Sequence, residues 1–378
     1  ATVTAGNFTQ AAGSGTTTFA GALDLGGDFA FTGQALTVNG SGHDIDGSMT
    51  VTNAGTFTTA EGADLTVGTA FTQNGAGAVV LGDDLTSDSA GISFLRGVTL
   101  TSGTAHDVLV LTTGGGTGDD LLFSATLDNA DTESLTLATG SGGDLTVTGA
   151  VGDLGEGDLR IASARNATFS STVTADRFTQ LAGSGTTTFN GTLTLGDAFA
   201  YTGQDLTFGA SGPTVGGGMT VTNAGTFTTA DAADLTVTGS FLQDGAGSSV
   251  LGGDLTGTAG LTFQRGIVLT GNDAVTLATG GATGEDLLLG TAGAVTDVEG
   301  GEQALILDAG VGGDLTLRGA LGRLDAPLGA VTFTSADQAL LTGILSATSW
   351  TQSGAPASGA TTLAGTVRLT GNLAFTGQ

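Results

Sequence analysis

The segment Met49-Thr50-Val51-Thr52-Asn53-Ala54-Gly55-Thr56-Phe57-Thr58-Thr59-Ala60 returns unchanged at Met219 to Ala230, every position number higher by 170. At the same offset Gly13 to Phe19 returns at Gly183 to Phe189, and Gly143 to Thr146 at Gly313 to Thr316. Phe29 to Gln34 also returns, at Phe199 to Gln204, with Tyr201 in place of one Phe. A third copy opens near Ser346, where Trp350-Thr351-Gln352 replaces Phe8-Thr9-Gln10 and Phe178-Thr179-Gln180, and it runs to Phe375-Thr376-Gly377-Gln378. Repetition on this scale constrains the fold more than composition does, because each copy must form the same local structure and pack on its neighbours. It divides the chain into units at 1–170, 171–345 and 346–378, read as one continuous array that stops inside a unit, as expected of a piece of a longer one.

A shorter period lies inside each unit. Phe8, Phe29, Met49, Phe71 and Ile92 recur at a step of roughly 21 residues, as do Phe178, Phe199, Met219, Phe241 and Leu261. Two residues further on stand Gln10, Phe31, Val51, Gln73 and Phe94, and the residue between is small or polar, which is the alternation of a strand. A second column reads Phe19, Val38, Phe57, Val79 and Val98, and a third Leu25, Ile45, Leu65, Leu85 and Val108. Three short strands per roughly 21 residues, punctuated by Gly, Asn and Asp, describe one coil of an all-β solenoid whose coils bury each other's apolar faces. Eight coils per long repeat predict about 18 coils in 378 residues.

Helical alternatives fail, because 69 residues are Gly, β-branched Thr and Val fill the periodic segments, and Lys is absent. Gly and Asn suit the corners, where positive φ is needed, and Pro213, Pro327 and Pro356 fall where corners or loops are expected. Gln10, Gln73, Gln180 and Gln243 fall in an inward column and are expected at strand ends, bonded to corner backbone. The 36 acidic residues against 8 basic, all Arg, give a net charge of −28, which repels phosphate backbones and excludes a nucleic-acid partner. A mean hydropathy of +0.26 with evenly spread Phe, Leu and Val argues against a disordered acidic tail. No apolar run reaches the length of a membrane span, and the absence of Cys excludes disulfides and thiolate chemistry.

Phrases such as FTQLAGSGTTTFNG, MTVTNAGTFTTA and GGDLTVTGAVG resemble the β-strand-repeat exoproteins related to filamentous haemagglutinins. The resemblance covers essentially the whole chain. It implies a right-handed parallel β-helix, secretion across the envelope, and a structural or adhesive role at the cell surface. The amino-terminal secretion domain typical of that family is not seen in the sequence.

Among polar features an Asp series is the most regular: Asp24, Asp44, Asp64 and Asp84 are evenly spaced, and Asp107 continues the series. Stacked carboxylates repel, and Ca²⁺ relieves this by taking several oxygen ligands, so the series is a candidate metal site. The second copy carries Thr194 and Thr214 in place of Asp24 and Asp44, which favours corner Asp residues bonding their own backbone. Gly115 to Leu122, with Asp119 and Asp120, fits a calcium nonapeptide, and Gly281 to Leu288 nearly does. In calcium rolls, however, the ion is shared between consecutive nonapeptides, so an ordinary loop is the default here.

Catalysis finds little support. His43 and His106 have no counterparts in the second copy and read as surface residues, and the Arg residues are scattered. Only Arg96 and Arg265 recur at equivalent places, where they are expected to bridge acidic neighbours. Thr-rich outward rows such as Thr50-Val51-Thr52 raise an ice-binding face, interrupted by Ala30, Ala200 and Leu242. The sequons at Asn7, Asn39, Asn166 and Asn190 are candidate glycan acceptors. The resulting expectation is a non-enzymatic, extracellular fibre, sheath or adhesin stalk. Its partners are further copies of the same repeats, as a homopolymer or a longer chain. The alternatives are a binding module for a surface or matrix glycan or for ice, and, behind these, a polysaccharide-active enzyme.

Overall fold

The computed structural model describes all residues except 102–107, 131, 153, 155–156, 210–211, 272, 298–302, 355–358 and 376–378. The fold is all-β, with parallel strands stacked as a β-solenoid of about 16 turns and no helix among the described residues. By its internal contacts the chain divides into two compact units, Ala1–Gly191 and Thr192–Gln378.

In the first unit each turn lays one short strand on each of three faces. The first face begins with Val3–Ala5, Leu23–Leu25 and His43–Ile45. The second begins with Phe8–Gln10, Phe29–Gly33 and Met49–Asn53, the third with Thr16–Phe19, Ala35–Val38 and Phe57–Thr59. In the second unit one face stacks Phe199–Gly203, Met219–Asn223 and Phe241–Gln243. The next carries Asp205–Phe208, Thr226–Thr229 and Ser248–Leu251, and the last Leu193–Leu195, Thr214–Val215 and Leu235–Val237. Strand Leu261–Leu269 rounds a corner, so that Leu261 pairs on one face and Ile267 on the next.

The expected Phe8, Phe29, Met49, Phe71 and Ile92 column forms in that register. Rings stack up the interior, with centroids 5.3 Å apart both between Phe71 and Phe94 and between Phe94 and Phe123. The other two columns slip by two residues. Phe57 pairs with Leu36 and Thr59 with Val38, while Leu65 pairs with His43 and Val67 with Ile45. A two-residue slip keeps every side chain on its side of the sheet, whereas a slip of one would turn the core outward. Leu111, not Val108, follows Leu85, and Val108 is exposed.

The turn count is lower than the sequence predicts, because the coils lengthen. From Phe8 to Ile92 each turn keeps to roughly 21 residues, but the step from Ile92 to Leu121 is 29 and that from Leu121 to Leu145 is 24. The copies therefore fall out of phase with the three faces. Phe178 stands on the first face above Leu159, although its counterpart Phe8 stands on the second. Phe189 stands on the second, although its counterpart Phe19 stands on the third. One copy of the long repeat is seven turns and two further faces, rather than eight turns.

The inward glutamines lie where expected, at strand ends. Gln73 donates Nε2 to Asn53 Oδ1 at 2.7 Å and to the Gly77 carbonyl at 3.1 Å. Asn53 donates Nδ2 to the carbonyls of Gly55 at 2.7 Å and Ala78 at 3.2 Å. Asn223 and Gln243 repeat the arrangement, with Gln243 Nε2 2.8 Å from Asn223 Oδ1. Gln180 and Gln352 donate Nε2 to the corner carbonyls of Ala182 at 3.5 Å and Gly354 at 3.1 Å, and Gln10, Gln180 and Gln352 accept from Thr17, Thr187 and Thr361. Pro213 directly precedes its strand and Pro327 lies in a loop, as expected, while Pro356 is outside the described residues.

Removing one amide of the buried pair strands the other. Asn53→Ala is expected to cost about 2–3 kcal/mol, and the Asn53→Ala, Gln73→Leu double variant less than the sum of its parts. Denaturant unfolding of the four proteins measures this, and strictly additive losses would contradict the coupling.

Candidate functional site

The Asp series does not form one column. Asp24 and Asp44 are outward residues of adjacent strands on the first face and stand in register. The two-residue slip then sets Thr66 against Asp44 and leaves Asp64 and Asp84 in the corner just before Leu65 and Leu85. There they meet Asp83, and one oxygen from each of the three carboxylates lies within 4.8 Å of the other two. Asp107 is outside the described residues.

The corner carboxylates also serve the backbone. Asp83 accepts the amides of Gly62 and, at 2.8 Å, Asp84, while Asp84 accepts the amide of Val110 at 2.7 Å. Asp64 lies above the ordinary carboxyl value, first through burial, then through its hydrogen bond to Asp83 and the charges of Asp83 and Asp84. The site therefore combines a convergent oxygen set suited in number and chemistry to a hard cation with unrelieved mutual repulsion. Sequence reasoning missed Asp83, although the doubled acid Asp83-Asp84 beside the series was a visible signal.

Asp119 and Asp120 lie apart from this group. Asp119 closes its own loop by accepting the Gly116 amide at 2.7 Å, and Glu285 does the same for Ala282 at 2.6 Å. Gly115 and Gly140 stack there at φ of 82° and 66°, and a Cβ on Gly140 would come within 2.5 Å of Gly115 Cα, so only glycine fits. Asp120 reaches the next turn, accepting the Asp144 amide at 2.8 Å.

That last contact belongs to a recurrent device. In the first unit Asp144 accepts the Asn166 amide at 3.2 Å and Asn166 the Thr186 amide at 3.0 Å, while Asn7 accepts Asp28 and Asp28 accepts Ser48, both at 2.8 Å. In the second unit Asp234 accepts Asp254 at 3.0 Å and Asp254 accepts Thr276 at 2.7 Å. Asp286 accepts Asp314 at 3.0 Å and Asp314 accepts Gln338 at 3.2 Å. Each oxygen satisfies an amide one turn away, at a corner or at the start of the strand that follows it. The Ser48 amide and then its hydroxyl hold Asp28 below the ordinary carboxyl value. Arg165 holds Asp144 down by a two-pronged contact, Nε to Oδ1 at 2.8 Å and Nη2 to Oδ2 at 2.5 Å.

Other expectations are corrected. His43 is not a surface residue: it is 2% exposed in the first-face column, between Leu23 and Leu65. Its Nδ1 accepts the Leu23 amide at 3.1 Å, and burial lowers its pKa, so it is neutral and carries its proton on Nε2. Pro213 fills the position in the second copy, and His106 is outside the described residues. Arg265 does not bridge acids but donates Nε to the Gly245 carbonyl at 3.2 Å, and neither it nor Arg96 forms an ion pair among the described residues. Asn166, a sequon residue, uses Nδ2 on Asp144 at 3.0 Å. The outward Thr194, Thr214, Thr236 and Thr256 stack in one column, one residue wide because strands such as Leu193–Leu195 expose only their middle residue.

With this geometry in hand, comparison with known proteins adds no relative: no family model, curated protein or solved structure matches the chain.

Asp64 binds its proton more tightly folded than unfolded. Stability therefore falls as pH rises from 3.8 through its raised value. Asp28 and Asp144 act oppositely, and their contribution is lost as pH falls below 3.8 through their depressed values. Asp64→Asn removes the charge at the group whose pKa is raised, and its amide can still hydrogen-bond Asp83. It is expected to raise stability at neutral pH by on the order of 0.5 kcal/mol and to leave the acid limb unchanged, as read from melting temperature against pH.

Proposed function

We propose that the chain is an extracellular structural repeat protein, a segment of a surface fibre, sheath or adhesin stalk. The observation that carries this reading is the use of the acids. Its Asp residues recur as acceptors for corner amides of the next turn, so they hold turns together along the whole of each unit. Continuous Phe, Leu and Val columns inside and this acceptor series at the corners make a scaffold whose length is set by repeat number. The likeness to filamentous-haemagglutinin-type exoproteins agrees with secretion and a surface location, and the acidic exterior keeps such fibres from aggregating while attracting cations.

Calcium enters this proposal at Asp64, Asp83 and Asp84. Added Ca²⁺ is expected to raise the melting temperature of the wild type and not of the Asp83→Asn variant, and equal shifts would remove the cation from the reading. The competing reading is a binding module for a glycan or ice, which draws on the Thr194 to Thr256 column.

Electron microscopy of the native material separates the two. Filaments are expected with a layer line near about 4.8 Å and a longer repeat of roughly 37 Å for seven turns and two faces. Short particles that never lengthen but bind a glycan surface would favour the module.

A further inference from the structure

One face of the second unit carries an outward pattern that its backbone does not require. The second residues of successive strands are Ala200, Thr220, Leu242, Thr262, Leu288, Thr316, Leu340 and Thr362, stacked in register. Apolar residue and threonine alternate through all eight. Their neighbours point inward: Phe241, Leu287 and Leu289 are at most 1% exposed, and Ala339 and Leu341 at most 3%. The leucines therefore point outward at every second turn, Leu340 exposed and Leu242 and Leu288 half-buried, about 9.6 Å apart with a threonine between each pair. A scattered exposed leucine needs no explanation, but a single-file row with a two-turn period on one face does. The matching column of the first unit, from Thr9 through Ala30, Thr50, Thr72, Ser93, Leu122, Thr146 and Thr168 to Thr188, has one leucine.

The charges at the edges of this row say what covers it. All strands of the face run the same way, so residues before each strand line one edge and residues after it line the other. Asp286 and Asp314 precede Leu287 and Leu315, while Arg265 and Arg318 follow Phe263 and Leu317. Along the later turns of the row two of the eight cations of a chain with net charge −28, Arg265 and Arg318, thus border it on one side opposite Asp286 and Asp314 on the other, while Asp244 follows Gln243 on the arginine side one turn earlier. If two such faces pack with their solenoid axes parallel, about a two-fold along that axis, each acidic edge meets the other copy's basic edge. Asp314 and Arg318 flank the same strand, so Asp314 comes level with Arg318 of the second copy. Antiparallel packing would set acid against acid.

We propose that this face is a lateral docking surface for a second copy of the chain, joined in parallel through Leu242, Leu288 and Leu340 and aligned by the Asp314 and Arg318 edges. The proposal rests on the fibre reading and deepens it, since it makes the fibre a paired one. Interface cores favour apolar anchors inside a polar rim, which is the arrangement here.

Sedimentation of the purified chain over a concentration series tests this, with circular dichroism melting as the control for folding. The wild type is expected to reach twice the 36.4 kDa monomer mass. Leu288→Glu with Leu340→Glu, and separately Arg318→Glu, are expected to weaken pairing by at least about 30-fold. Leu122→Glu, on the first unit, is expected to leave it unchanged. A wild type that stays monomeric throughout, or pairing that survives both variants, would overturn the proposal. In micrographs the two readings separate, because filament length reports the fibre and filament width reports the pairing. The double leucine variant is expected to give filaments of unchanged length and single width.

Discussion

Each turn of this fold ends in a corner where a backbone amide leaves the ladder of carbonyls, and the structure depends on supplying that amide with an acceptor. A side-chain oxygen from the turn before does so repeatedly, as Asp120 does for Asp144, Asp144 for Asn166 and Asn166 for Thr186. A buried or half-buried amide left unpaired costs roughly 1–3 kcal/mol, so a device repeated along the chain outweighs the mild repulsion among its carboxylates. This use accounts for part of the strongly acidic composition. Where the device is crowded, at Asp64, Asp83 and Asp84, burial first, then the hydrogen bond to Asp83 and the neighbouring charges, raise the pKa of Asp64. Where a partner is added, as Arg165 is for Asp144, the pKa falls.

The mismatch between the long repeat and the three-faced turn has a structural consequence. A copy that is one face short of eight turns hands each of its segments to a different face when it recurs, so Phe8 and its counterpart Phe178 look in different directions. Outward residues that belong to one copy then cannot form an uninterrupted stripe along one face over many copies. Any surface pattern on a single face must be written into one copy, as the Leu242, Leu288 and Leu340 row is.

The architecture was legible because its signal is redundant. Phe8, Phe29, Met49, Phe71 and Ile92 repeat a period that no helix produces, and their register is the one observed. The glutamines were legible too, since a buried amide has few places to bond other than corner backbone. The turn count was not, because loops such as Thr113 to Asp120 lengthen later turns without leaving a periodic trace. The Asp series misled for a related reason. Equal spacing in sequence implies one column only while the register is constant, and the two-residue slip between Asp44 and Thr66 splits the series. His43 did carry a signal of burial, since it stands two residues before the inward Ile45 and in the place of Leu23, and the Leu23 amide one turn away holds it there.

The rotation of faces is the claim most exposed to measurement, and the absence of native Cys makes it accessible. Spin labels on Thr168→Cys with Thr188→Cys, two outward neighbours in the first unit, should show strong broadening at a backbone separation of about 4.8 Å. Labels on Thr174→Cys with Thr188→Cys should not, because Val173–Ala175 lies on the third face. Strong broadening in the second pair and not in the first would mean that each copy completes whole turns, and would contradict the account.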